Sequence, residues 1–344
     1  MAIKNIVLNK DKLSELFIDN DITGFDLEEA LDTVEKINEL KKQKNAVILA
    51  HYYQRNGIKF GISDYVGDSL DLSTVAMETD ADIIVFCGVN FMAESAKILN
   101  PGKKVLLPDL EAGCSLAESI TAEDVRKLRN EYPDAAVVTY INTTAEIKAE
   151  SDVCVTSANA PNVISKLPNK RIIFIPDTYM GKNIADEVPD KEIINWKGTC
   201  IVHEQFTEEE LQRYKLQYPG IKILAHYECV PEVIKAADMH GGTGNMRQYV
   251  REHDAPSYFL ATECGLASTI IAEFPEKKII GPCYICSYMK KIELNNTLKS
   301  LEEETPEITI PEDIRVRALQ SLERMFELTP FNKDATAKSK RSPF

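Results

Sequence analysis

No apolar run in the 344-residue chain approaches the roughly 20 residues that a membrane-crossing helix needs. The longest, Ala46 to Ala50 and Ile83 to Cys87, fall far short, and the opening stretch Met1 to Leu13 has no apolar core of a secretory leader. Both absences lead us to expect a cytoplasmic protein with no membrane partner. Basic charge is also scarce: 40 Lys and Arg stand against 54 Asp and Glu, a net charge of −14. With no cationic surplus to neutralise phosphates, a general nucleic-acid binder is excluded. The eight cysteines contain a single C-x-x-C, Cys283 and Cys286, without a second pair or a following histidine pair. That argues against an ordinary zinc finger or a ferredoxin-type run. Glycine and proline stay low at 15 and 16, and 44% of residues are hydrophobic, so collagenous and disordered readings fail too.

Short apolar runs alternate with stretches of helical period, the pattern of strand–helix units around parallel sheets. Asp26, Thr121 and Thr207 each precede a helical stretch with a carboxylate in its first turn and read as caps. The run Val47-Ile-Leu-Ala-His51 returns as Lys222-Ile-Leu-Ala-His226, and Ala136-Val-Val-Thr-Tyr140 fits as a third copy. The anchors His51, Tyr140 and His226 lie 89 and 86 residues apart. Steps of 17 or 18 beyond them reach Ser69, Ser157 and Thr243, and steps of 36 reach Cys87, Pro176 and Thr262. We therefore expect three doubly wound α/β/α domains related by pseudo-threefold symmetry, at residues 1–118, 119–203 and 204–289. Residues 290–330, with a helix from Glu312 to Phe326, are expected to pack on the first, and 331–344 to form a mobile tail.

The same repeat orders the cysteines. Cys114, Cys200 and Cys286 are spaced 86 and 86 residues apart, 63, 60 and 60 residues beyond the anchors. Ligands of open parallel sheets bind beyond the carboxyl ends of strands, so three such units would bring three thiolates to one point. Such a set could hold Zn²⁺ or a [4Fe–4S] cluster with one iron free of protein sulfur. With no export signal the thiols read as reduced rather than as a disulfide framework. Cys87, Cys154 and Cys264, in or after apolar runs, read as packing, while Cys229 and Cys283 are balanced between structural and redox-accessible thiols. Ser69, Ser157 and Thr243 read as neutral donors at helix N-termini, suited to phosphate or carboxylate, and equally as caps.

The motifs His51-Tyr-Tyr53-Gln, Gly67-Asp-Ser69-Leu, Asn90-Phe-Met-Ala-Glu94, Gly113-Cys114, Tyr140-Ile-Asn142-Thr-Thr, Cys154-Val-Thr-Ser157, Pro176-Asp177, Lys197-Gly-Thr-Cys200-Ile-Val-His203, His226-Tyr-Glu228-Cys229, Thr262-Glu263 and Cys286-Ser-Tyr-Met289 run in order from Lys44 to Leu301. Together they resemble the quinolinate synthase family. The resemblance implies three α/β/α domains around a [4Fe–4S] cluster ligated by Cys114, Cys200 and Cys286. It also implies condensation of iminoaspartate with dihydroxyacetone phosphate to quinolinate, a precursor of NAD, with iminoaspartate supplied by an aspartate-oxidising enzyme. His51, Tyr53, His226 and Glu228 match positions that contact substrate and move protons, and Tyr140 and Asn142 match its substrate-binding pair.

His203 also matches the family, but a histidine beside an apolar strand reads first as hydrogen-bonded core. Tyr227 stands where the family usually has proline, Gly242 where serine is common, and Ser287-Tyr replaces a commoner proline–aromatic pair. Two other readings stay open: a cluster-dependent hydro-lyase acting on a hydroxy acid, and an iron or redox sensor using Cys283 and Cys286.

Overall fold

The computed structural model describes residues 2–4, 13–14 and 27–329. Three sheets follow one another along the chain. The first holds β1 (Ile3–Lys4), β2 (Ala46–His51), β3 (Tyr65–Gly67), β4 (Ile83–Cys87) and β5 (Lys104–Leu106) in spatial order β1-β3-β2-β4-β5, parallel except for β1 against β3. The second holds β6 (Ala136–Tyr140), β7 (Val153–Val155), β8 (Arg171–Ile175) and β9 (Glu192–Asn195) in order β7-β6-β8-β9. The third holds β10 (Lys222–His226), β11 (Met239–Gly241) and β12 (Tyr258–Ala261) in order β11-β10-β12. Apart from the antiparallel edge strand β1, each begins in its middle, adds the next strand on one side and the following strand on the other, so the expected doubly wound α/β architecture is present. The strands read as near-continuous Val, Ile, Leu and Ala because parallel strands are covered on both faces. Ile48, Val138 and Leu224 are fully buried.

Register repeats as well as order. The anchors His51, Tyr140 and His226 end β2, β6 and β10, where they align with Gly67, Val155 and Gly241. A second repeat escapes a reading of apolar runs. Asp64, Asp152 and Asp238 each stand just before the second of these strands in their sheet. Each accepts the N–H of Ile48 (2.8 Å), Val137 (2.7 Å) or Ile223 (2.9 Å), and its own N–H donates to that same residue's carbonyl. One aspartate per sheet thus closes a two-bond latch on the central strand, three residues before the anchor.

Thr121 and Thr207 cap their helices as expected: each side chain accepts the N–H of the residue three positions on, Asp124 and Glu210. Asp26 and the tail 331–344 lie outside the described residues. Of the C-terminal helices, Leu294–Glu303 packs on the first sheet's helix Leu27–Gln43. The last, Glu312–Leu328, departs from expectation and lies mainly against helix Ala145–Ala149 and β7 of the second sheet, touching Asn90–Leu99 of the first. Its buried stripe of Ala318, Ser321, Leu322 and Met325 has small residues that let it come close, and Arg317 donates to Ala149 O (3.4 Å) and Glu150 (3.0 Å). Amphipathic period predicts such a stripe but not which surface it covers.

Polar ties join the sheets. Trp196 Nε1 donates to Ser119 O at 2.9 Å. Lys59, fully buried, reaches from the first sheet to Gly265 O (2.6 Å), Ser268 Oγ (2.7 Å) and Thr269 Oγ1 (3.0 Å) in the helix after β12. Among the described residues no helix is long and apolar enough to cross a membrane.

Candidate active site

The carboxyl ends of the central strands open on one cavity. His51, Tyr53, Ser69, Cys114, Tyr140, Asn142, Ser157, Cys200, His226, Glu228, Thr243 and Cys286, the residues expected to ligate, bind or move protons, line it. Ser69 and Thr243 are the first residues of helices Ser69–Glu78 and Thr243–Glu252, while Ser157 lies in the turn before Ala160–Ser165. Their hydroxyls therefore stand where helix N-termini favour an anion. Gly242, the departure noted above, abuts this turn: a Cβ there would meet Ser157 Oγ at 2.7 Å.

The two histidine anchors are built alike. Tyr53 N donates to His51 Nδ1 (3.2 Å), and Glu228 N donates to His226 Nδ1 (3.3 Å). A ring nitrogen that accepts a backbone N–H carries no proton, so in each neutral imidazole the hydrogen sits on Nε2. His226 Nε2 then donates to Ser157 Oγ at 3.1 Å. Burial, reinforced by the neighbouring imidazole, pulls both histidines down to about 3, so both are neutral at physiological pH.

His203 is buried and hydrogen-bonded, as expected of a core histidine, but its surroundings are the site itself. It stacks on His226 (centroids 4.4 Å apart, 20° between planes) and lines the cavity, with Nδ1 2.6 Å from Glu228 Oε2 and 3.2 Å from Cys200 Sγ. Its Nε2 lies 2.9 Å from Thr262 Oγ1, which is 2.6 Å from the Tyr53 hydroxyl. With the Nδ1 proton on the carboxylate side, the line runs one way: Tyr53 donates to Thr262, Thr262 to His203 Nε2, and His203 Nδ1–H to Glu228. Burial alone would push the Glu228 carboxyl up. His203 and His226, with hydrogen bonds from His203 and Tyr140, hold it instead below the usual carboxylate range. Burial and the Glu228 charge push the Tyr53 and Tyr140 phenols well up, so both remain donors. Asn142 Nδ2 donates to the other oxygen, Glu228 Oε1, at 3.4 Å. Cys200 and His203, three apart on one turn, were the signal for the histidine. Thr262 stood out as a repeat position and in the Thr262-Glu263 motif, with no role attached to it.

Asp68, which the sequence reading passed over, also lines the cavity and caps helix Ser69–Glu78 by accepting Asp71 N at 2.9 Å. Burial and the Asp71 charge push its carboxyl up to about 7.

Cys114, Cys200 and Cys286 are half-buried and unpaired, and close enough that Cys114 is disfavoured as thiolate by Cys286, and Cys200 by Cys114. A Cβ at Gly113 would meet Glu118 Oε1 at 2.6 Å and the Tyr288 ring at 3.2 Å, so glycine lets the segments of Cys114 and Cys286 pack together. Burial pushes Cys114 up to about 12 and Cys286 to about 11, so each keeps its proton until a soft cation displaces it. Three thiols lining one cavity are compatible with a thiolate-bound metal group. Cys200, His203 and Glu228 also place one donor atom each within 4.8 Å of one another.

The remaining cysteines bring one correction. Cys87, Cys154 and Cys229 are fully buried, but Cys264 is not a packing thiol: it is disulfide-bonded to Cys283, with Cα atoms 5.0 Å apart. The loop carrying Cys283 folds back on the start of helix Gly265–Glu273, where Cys264 N donates to Tyr284 O at 3.1 Å. Cys286 faces the cavity instead, so the C-x-x-C pair is split between two tasks.

Doubly wound sheets whose strand ends bring thiols, imidazoles, a carboxylate and phenols into one cavity define an α/β enzyme. The chain belongs to the quinolinate synthetase A family, whose model matches residues 35–327. It is 49% identical over 310 residues to quinolinate synthase of Aquifex aeolicus, covering 88% of this chain and 96% of that one. It is 50% identical over 295 residues to quinolinate synthase 1 of Mesorhizobium japonicum, covering 86% and 91% respectively.

Proposed function

We propose that the chain is a quinolinate synthase feeding NAD biosynthesis, joining iminoaspartate to dihydroxyacetone phosphate to give quinolinate, phosphate and two waters. The observation that carries this reading is the meeting of all three strand-end sets in one cavity, with the line Glu228–His203–Thr262–Tyr53 beside three thiols. Two anionic substrates enter a protein of net charge −14. The hydroxyls of Ser69, Ser157 and Thr243 and the amides of helix N-termini receive their carboxylates and phosphate without added cations. Tyr140 and Asn142, both tied to Glu228, orient the carbonyl and carboxylate of the condensing partners. Glu228, ionised and hydrogen-bonded to His203, takes the proton from carbon as the new bond forms. His203 Nδ1–H holds the carboxylate in place, Tyr53 turns its one O–H from Thr262 to a departing hydroxyl that leaves as water, and the proton taken up by Glu228 returns to the phenolate at the end of the cycle. His51, neutral with Nε2–H, donates to a substrate oxygen, and His226 Nε2–H orients the Ser157 hydroxyl that does the same.

Cys114, Cys200 and Cys286 would hold a [4Fe–4S] cluster, which supplies Lewis acidity at an iron without a protein ligand for the loss of hydroxide. Iminoaspartate hydrolyses in water, so an aspartate-oxidising enzyme must deliver it fresh.

The test is anaerobic purification followed by turnover of dihydroxyacetone phosphate with iminoaspartate generated in the assay, quinolinate being read by chromatography. Brown, active protein is expected, with colour and turnover both lost in Cys114→Ala, Cys200→Ala and Cys286→Ala. Colourless active protein would overturn the cofactor assignment. Dehydration of a lone hydroxy acid without use of dihydroxyacetone phosphate would assign a hydro-lyase instead.

A further inference from the structure

The turn that carries Glu228 belongs to the third sheet, yet its backbone is gripped from the second. Helix Thr178–Glu187, which follows β8, sends the buried side chain of Asn183 into this turn. Its Nδ2 donates at 2.8 Å to Tyr227 O and at 2.8 Å to Cys229 O, the carbonyls on either side of Glu228. One turn further along the same helix, Glu187 Oε1 accepts from the Tyr227 hydroxyl at 2.5 Å and lies 3.1 Å from His240 Nε2. The Tyr227 ring stands edge-on to His240, with centroids 5.2 Å apart. On the far side Cys229 Sγ donates to Ala261 O at 3.4 Å.

We infer that Asn183 is the positioning residue for Glu228, with the Glu187–Tyr227 bond as a second anchor on the same helix. One N–H of the amide holds the peptide before Glu228 and the other holds the Cys229–Val230 peptide beyond it, while the peptide between them is held by Cys229 N donating to His226 O at 2.9 Å; together they fix the direction of the Glu228 Cα–Cβ bond. From that direction the carboxylate meets His203 Nδ1 at 2.6 Å and Asn142 at 3.4 Å. A leucine of similar size at 183 removes both donors and leaves two buried carbonyls to find new partners, so the turn shifts. Misplacement of a reacting group by about 1 Å costs on the order of 100-fold in rate. The interaction also makes the second sheet answerable for a group supplied by the third.

The inference rests on Glu228 moving a proton in the proposed reaction, and the experiment separates the two. Asn183→Leu, Glu228→Gln and the double variant are compared as cluster-loaded enzymes for kcat, KM and iron content. Asn183→Leu is expected to lower kcat about tenfold or more, with KM within about threefold and iron unchanged, and to add nothing in the Glu228→Gln background. Effects that multiply in the double variant would overturn the inference, because a merely structural role weakens both backgrounds alike. An Asn183→Leu enzyme as fast as the parent beside a crippled Glu228→Gln would also overturn it while leaving the proposed function standing. A fully active Glu228→Gln would strike the reading of Glu228 itself. If Asn183→Leu fails to fold, Tyr227→Phe replaces it, keeping the ring and every backbone acceptor. It is then expected to lower kcat roughly two- to fivefold, matched by Glu187→Met, which removes the acceptor, and not deepened when the two are combined. An unchanged kcat in Tyr227→Phe overturns the inference.

Discussion

Tyr53 and Glu228 sit at opposite ends of one line of hydrogen bonds, and the two residues between them decide whether it conducts. Thr262→Val keeps the shape and removes the hydroxyl that bonds both Tyr53 (2.6 Å) and His203 (2.9 Å). The expected result is a kcat loss of about 100-fold with little change in KM, approaching that of Tyr53→Phe. Equal activity of Thr262→Val and the parent would remove the line from the mechanism. A second expectation concerns pH. In the unfolded chain a histidine titrates near 6.5, whereas His51 and His226 refuse the proton until about 3. Between those values the unfolded state binds more protons, so stability is full above pH 6.5 and is lost as pH falls. His226→Gln should flatten the fall between pH 7 and 5 by up to about 1.4 kcal/mol per unit, read from unfolding midpoints. An unaltered slope would mean that His226 is not held neutral. At this scale the sequence repeat exposed the anchors and thiols because each recurs at fixed spacing. His203 and Thr262 stayed hidden as chemistry because their bond joins segments 59 residues apart and leaves no local pattern.

Among elements, strands and helix starts were legible, since apolar runs and capping threonines are local signals. The partner of a helix is not. The stripe on Glu312–Leu328 says only that something covers it, and the second sheet's helix Ala145–Ala149 and β7 took most of the contact. Nor do apolar patterns reveal the aspartate latches, which became visible only as backbone partners. Each latch fills a buried N–H at the entry to a central strand, so Asp152→Ala leaves Val137 N unsatisfied and also breaks the 2.8 Å ion pair with Arg129. A loss of roughly 2–3 kcal/mol is expected in denaturant unfolding. Asp152→Asn, which retains an accepting oxygen, should lose about half as much. Identical losses for the two variants would show that charge rather than the latch matters.

Across the whole molecule the sheets are coupled by buried polar links that end at the thiols. Lys59 in the first sheet's segment holds Gly265 O, Gly265 N donates to Glu263 Oε2 at 2.6 Å, and Glu263 Oε1 accepts Cys286 N at 3.3 Å. Lys290 closes the loop, pairing with Glu263 at 3.1 Å while donating to Tyr53 O at 2.5 Å. The third thiol is thus positioned from the first sheet, and the Tyr53 backbone from the third thiol's segment. Lys59→Met removes charge and bonds together and fills similar volume. Because Ser268 and Thr269 still bond Gly265 O (2.9 and 3.0 Å), the direct cost to folding stays modest, about 1–2 kcal/mol. The cut falls on the path to Cys286 rather than on the core. Cluster-loaded Lys59→Met should therefore release iron to a chelator roughly five- to tenfold faster than the parent, the change that about 1 kcal/mol of easier local opening produces. Activity per retained iron should be unchanged. Asp152→Ala, which weakens the second sheet without touching this path, is the control: if it loses iron as fast as Lys59→Met, general loosening rather than this chain of bonds governs the thiols.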